Sequence, residues 1–276
     1  MRTFLDLCAS FPCAVAAGVL LGAVCPMLGV FVILKRVVFI GAALSEVAAL
    51  GVAAAMVCGA PPYLGAAAAT LAAAALLSRP FENTRLPRDA VLGLVFVLAS
   101  ALSVLLVARS GFGLHEVRSL LYGDLVLASR ADLAVVACVL VPVAAWLLVF
   151  LRPTLYAFLD REAARVLGVH VVFWEMAFFA CLGLAVSAAS RTAGALLVFC
   201  YLVAAPAAAL LVARRLWLAL AVAAAMGVTA TLTGLWVSFA TDAPANPVIA
   251  ACAGAGFALA LLFRAAAWLI ARVRRP

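Results

Sequence analysis

Apolar runs separated by short polar or charged interruptions repeat along the whole chain. A helix rises 1.5 Å per residue, so a run of about 20 residues covers a hydrocarbon layer of about 30 Å. On that length the pattern predicts transmembrane helices over 11–34, 38–58, 62–79, 90–108, 132–151, 171–190, 193–213, 216–238 and 247–270. These are nine spans, or eight if residues 193–238 are divided differently, because only Arg214 and Arg215 part the two runs there. The expected fold is an all-α polytopic membrane protein in which residues 1–276 form a single transmembrane domain.

Composition agrees with the pattern. The chain is 70% hydrophobic and 11% charged, with a mean hydropathy of +1.29. A soluble domain is about half apolar and a quarter charged, so the solvent for most of these residues is lipid. The net charge of +8 does not point to nucleic acid, because the Arg residues stand singly or in pairs between apolar runs. With nine spans, fourteen of the nineteen Lys and Arg fall on one side and five on the other. The positive-inside rule then puts the N-terminus outside, the C-terminus in the cytoplasm, and the loops 35–37, 80–89 and 152–170 inside. The first apolar run carries Asp6 ahead of it and continues to Leu34, too long for a cleaved leader, so it is expected as a retained span. The eight Cys show no C-x-x-C spacing and there are two His, which excludes a His-rich metal cage. No GxxxxGK[ST], H-E-x-x-H or G-x-S-x-G occurs, so the chain is not expected to be an enzyme or to hydrolyse ATP itself.

The polar interruptions carry the candidate chemistry. Glu46 lies eight residues into the second span, roughly 12 Å deep at the helical rise. An acid at that depth is unfavourable by about 2.5–3.5 kcal/mol, so it must face other helices or water. Gly41, Ser45, Ala48, Ala49 and Val52 form a small-residue face around it. Glu46 can serve as an interhelical hydrogen-bonding group or as a carboxylate that steers a cation; the residue alone leaves both open. Pro206 interrupts the seventh span and frees a backbone carbonyl, and Tyr201 one turn earlier can line the resulting cavity. Residues 109–131 mix polar and apolar positions as a short re-entrant or interfacial helix would, and Asp124 there can guard an entrance or cap a turn. Within 152–170, Asp160 can cap a short amphipathic helix with Ala164 on its apolar side, and Gly168 can end it. Such a helix either docks a partner or lies free on the surface.

Several stretches together resemble the permease subunits of bacterial ATP-binding-cassette (ABC) importers for zinc, manganese and iron. A basic pair followed by a Gly-Asp-Ala-Leu-Ser-His type motif and Gly-Val-Ala is matched by Lys35-Arg36, Gly41-Ala42-Ala43-Leu44-Ser45-Glu46 and Gly51-Val52-Ala53. Leu121-Tyr122-Gly123-Asp124 matches an outer Leu-Phe-Gly-Asp motif. Asp160, Glu162, Ala164 and Gly168 match a cytoplasmic Asp-x-Glu-x-Ala-x-x-x-Gly element, and Gly194 to Ala208 matches the late segment ending in Pro-Ala-Ala. The resemblance implies a multi-pass protein of the bacterial cytoplasmic (inner) membrane that imports a divalent metal cation by alternating access. It also implies a second permease copy, in a homodimer or a heterodimer, a separate ATPase subunit that holds the ATP, and an extracytoplasmic metal-binding protein. The chain itself would hold no cofactor. Residues 160–168 become the coupling helix, and the cation path runs between spans two, six and seven past Ser45, Glu46, Tyr201 and Pro206, with Asp124 at the outer side. Ala42 and Glu46 stand where the family motif has Asp and His, so the metal set differs. An ion-coupled secondary carrier and an ABC permease for a non-metal substrate are the alternatives.

Overall fold

The computed structural model describes residues 10–78, 88–109, 123, 125–159, 161–166, 168 and 170–273. In chain order the elements are α1 (Pro12–Leu34), α2 (Ile40–Val57), α3 (Pro62–Leu77), α4 (Arg88–Arg109), a 3-10 turn (Leu125–Leu127), α5 (Arg130–Val149), α6 (Leu151–Leu159), α7 (Arg161–Val166), α8 (Val171–Val212), α9 (Leu216–Thr241) and α10 (Ala245–Val273). Among the described residues seven helices are long and apolar enough to cross a membrane, and α3 is a shorter apolar helix. The chain is an all-α multi-pass membrane protein.

The 42 residues of α8 would make a rod about 63 Å long, twice the thickness of a hydrocarbon core. The helix breaks instead at Gly194, where φ is 75° and ψ 157°, a backbone region open in practice to glycine alone. Its contacts show that the chain doubles back there. Glu175 meets Lys35 at the end of α1. Ala193 accepts a hydrogen bond from Asn246 at the start of α10. Leu202 and Pro206 then pack on Gly29, back toward the end of α1, and the Leu211 carbonyl accepts from Arg264 far along α10. So α8 is a hairpin of two limbs, α8a (171–193) and α8b (195–212). Among the described residues the two limbs, the six other long apolar helices and the shorter α3 fall where the nine spans are expected. The apolar pattern parts the two limbs at residues 191–192; the break falls at Gly194 because that residue tolerates the turn. Gly194→Ala is expected to destabilise the protein by roughly 1–3 kcal/mol, seen as a lower unfolding midpoint in detergent.

α1 and α2 are the most buried of the spanning helices, while α4, α5 and α10 lie at the periphery with few of their side chains fully buried. Lipid is as apolar as a leucine side chain, so helices here associate through close packing. Glycines mark the closest crossings. Gly22 of α1 lies on Gly227 of α9, Gly29 on the Leu202 carbonyl of α8b, and Gly51 of α2 on Gly65 of α3. One end of the bundle gathers Lys35, Glu175, α6 and α7; the other gathers Tyr63, Asp132, Arg191, Gly194 and Asn246.

Candidate ion pathway and coupling segment

Glu46 sits near the middle of α2 and is 6% exposed. The Ser100 side chain of α4 is its hydrogen-bond neighbour, and among the described residues carboxylate Oε2 has no partner. A buried acid with a vacant acceptor is costly in lipid, and its vacant lone pairs can accept from water or bind a cation. Ser45 is fully buried, but its hydroxyl donates to the Gly41 carbonyl of its own helix at 2.9 Å. That bond leaves it an oxygen lone pair and no free proton.

The other candidate pathway residues point elsewhere. Tyr201 is fully buried with its hydroxyl against Thr231 Oγ1 of α9, and Thr231 in turn donates to the Gly227 carbonyl at 2.7 Å. The Pro206 ring packs on Gly29 of α1. Tyr201 and Pro206 therefore belong to the seam between α8b, α1 and α9, whereas Glu46 faces the seam between α2 and α4. The two seams approach at Phe39, which packs edge-on against Phe96 of α4 at 5.8 Å and Phe199 of α8b at 6.4 Å.

Asp124 lies outside the described residues, but both of its neighbours are fixed. Gly123 has φ 50°, and its carbonyl accepts from Asn246 Nδ2 at 3.1 Å, while the same amide donates to Ala193 at 2.9 Å. Leu125 is fully buried against Gly18 of α1. Gly123 is thus held through Asn246 to the turn of the α8 hairpin. Most of 109–131, where a short re-entrant or interfacial helix is expected, lies outside the described residues; Leu125–Leu127 form a 3-10 turn.

α7 forms where the amphipathic pattern predicts it. Asp160 lies outside the described residues. Glu162 is exposed, Val166 is 88% exposed, and Ala164 is fully buried in a small cluster with Ala157 and Val171. Gly168 takes the left-handed conformation, φ 74°, just past the helix. One side of α7 is rooted in the protein, and the other carries Glu162 and the exposed Val166.

Residues 10–264 match the ABC 3 transport family. The chain belongs to that family. It is 30% identical over 251 residues to the manganese transport system membrane protein MntC of Halalkalibacterium halodurans, covering 91% of this chain and 86% of that protein. It is 29% identical over 254 residues to a probable iron transport system membrane protein of Haemophilus influenzae, covering 92% and 90%. The fold superposes on PsaBC from Streptococcus pneumoniae in complex with Fab with a TM-score of 0.84 at 23% identity, over 93% of this chain and 94% of that one. The chain is an ABC-transporter family membrane protein, and the ABC reading prevails over the secondary-carrier alternative.

Two clusters in this family member escape the sequence pattern. Lys35 at the end of α1 pairs with Glu175 of α8a, and both side chains are nearly fully buried. The pattern puts Glu175 at a wet span start, where an acid costs little; it is 2% exposed, because α1 and α6 cover it. At the opposite end, the Tyr63 hydroxyl of α3 donates to Asp132 of α5, and the Arg191 guanidinium of α8a lies over the Tyr63 ring, 3.8 Å from its centroid. Asp132 also closes a capping box with Ser129. A capping box is local and can be read along the chain; the pairing of residues 140 positions apart leaves no periodic trace in sequence. The one available signal was the rarity of charges in so apolar a chain.

Proposed function

We propose that the chain is the permease subunit of an ABC importer for a divalent metal cation, and that it holds no ATPase site of its own. The observation that carries the proposal is Glu46: a carboxylate deep in a spanning helix, nearly fully buried, with one oxygen vacant. The cation is cargo and passes the bundle beside Glu46. Oxygen donors suit manganese and ferrous iron better than a zinc-preferring imidazole set, and the relatives named above as manganese and iron transport proteins support that choice. Ser45 and Ser100 supply further oxygens next to Glu46. Tyr201 and Pro206 close the neighbouring seam. Asp124 stands on the outer side, next in sequence to Gly123, which accepts from Asn246.

The N-terminus lies outside and the C-terminus in the cytoplasm, so α6 and α7 face the cell interior. There α7 docks on a separate ATPase subunit, with Asp160, Glu162, Ala164 and Gly168 shaping the element. A second permease copy completes the pore, and an extracytoplasmic metal-binding protein delivers the ion at the end that carries residues 109–131. ATP binding in the partner drives the alternation between outward and inward access.

Ala164→Asp buries an uncompensated charge among Ala157 and Val171 and is expected to unseat α7. Co-purification of the ATPase subunit with the permease is then lost, while the permease still extracts and runs as the wild type on gel filtration. ATPase retained at wild-type stoichiometry on Ala164→Asp refutes the docking role.

A further inference from the structure

We propose that Lys35, Glu175 and Phe158 form the joint through which the α6–α7 segment moves the core of the bundle; this rests on the role given above to α7. Three elements converge there. Lys35 is the C-cap of α1, Glu175 lies early in α8a, and Phe158 is near the end of α6, directly ahead of α7. The Lys35 ammonium pairs with the Glu175 carboxylate and sits over the Phe158 ring, 4.4 Å from its centroid. Phe158 in turn packs on Phe178 at 4.9 Å, Phe31 at 6.2 Å and Phe179 at 6.5 Å. The ion pair is thus buried, with aromatic rings on the Lys35 side.

A buried ion pair is a poor source of stability, since desolvation offsets most of the attraction, and well-packed apolar residues often serve as well. A buried ion pair does tie two helices directionally, because its attraction is screened little and falls off with separation. The cation–π contact adds the third element to the same point. From this joint both outgoing elements reach far. α1 crosses α9 at Gly22, beside Thr231, and α8b at Gly29, beside the Pro206 ring, with backbone close to backbone at both, so displacement of its end is passed on to both crossings. α8a runs about 24 Å from Glu175 to Arg191 at the helical rise, and Arg191 is fastened to Tyr63 of α3 at the opposite face. Movement of α6 is thus delivered both to the α1 crossings and, through α8a, to the far end of the bundle.

The test uses the whole transporter, permease with its ATPase subunit and binding protein, in liposomes. Manganese uptake and ATP hydrolysis are measured side by side. The doubly apolar variant Lys35→Met/Glu175→Met keeps the packing and removes the charges; it is expected to assemble and to hydrolyse ATP at the wild-type rate, yet to move at least about fivefold less manganese per ATP, the lower end of ordinary allosteric coupling. Phe158→Leu is expected to lower the same ratio. The exchanged pair Lys35→Glu/Glu175→Lys is expected to recover it at least in part. Wild-type uptake per ATP in the doubly apolar variant overturns the joint and leaves a structural tie, as does a proportional fall of uptake and hydrolysis in every variant. If the wild-type transporter itself moves no manganese with ATP, the import reading fails first, and the joint with it.

Discussion

Gly227→Leu is expected to abolish accumulation of folded protein. A Cβ at residue 227 would stand 2.0 Å from the Gly22 carbonyl oxygen and 2.7 Å from the Pro26 ring. The oxygen is backbone and cannot rotate away, so α1 and α9 must separate. Ordinary overpacking costs about 1–3 kcal/mol because side chains yield; here the whole crossing opens, and the Tyr201–Thr231–Gly227 hydrogen bonds open with it. In lipid no hydrophobic force draws the two helices back together. Gly254→Leu is the control, since a Cβ there meets nothing within 4 Å. Detergent-extracted yield and gel-filtration profile check the pair: Gly227→Leu absent or aggregated, Gly254→Leu as the wild type.

Glu46→Gln is expected to lower manganese uptake at least about tenfold, the equivalent of about 1.4 kcal/mol, with assembly unchanged. The amide fills the same volume and can keep the Ser100 contact, so packing survives. What is lost is negative charge in a segment where water does not substitute for it, and with it the attraction for a divalent ion. Glu46→Asp keeps the charge on a shorter stem and is expected to retain part of the uptake. Tracer flux into proteoliposomes, normalised to reconstituted transporter, separates the two variants. Uptake by Glu46→Gln equal to wild type removes Glu46 from the path.

The spans were legible because lipid imposes a minimum apolar length on any crossing helix, and Pro12, Pro62, Gly168 and Arg214-Arg215 punctuate the chain where elements begin or end. Glu46 was legible for the same reason reversed: an acid at mid-span has few reasons to be there. α7 announced itself through an amphipathic turn stopped by glycine. Three-dimensional partners were not legible. Ser100 is one of several serines in the chain's apolar helices, and nothing in α4 marks it as the neighbour of Glu46. The Lys35–Glu175 pair joins α1 to α8a across the whole intervening chain, and Asn246 stitches Gly123 to Ala193 from a third element. Each depends on how helices cross, which in this protein is set by glycine contacts between backbones. Those crossings follow from shape, and the apolar period that predicts a helix carries no record of which helix it will meet.

ATP-driven manganese uptake into sealed proteoliposomes containing this permease, its ATPase subunit and the binding protein tests the central claim most directly. Accumulation is expected against a manganese gradient, dependent on ATP at the face that carries α7 and unaffected by a protonophore. Accumulation that persists without ATP and collapses with the proton gradient, or ATP hydrolysis with no movement of manganese, contradicts it.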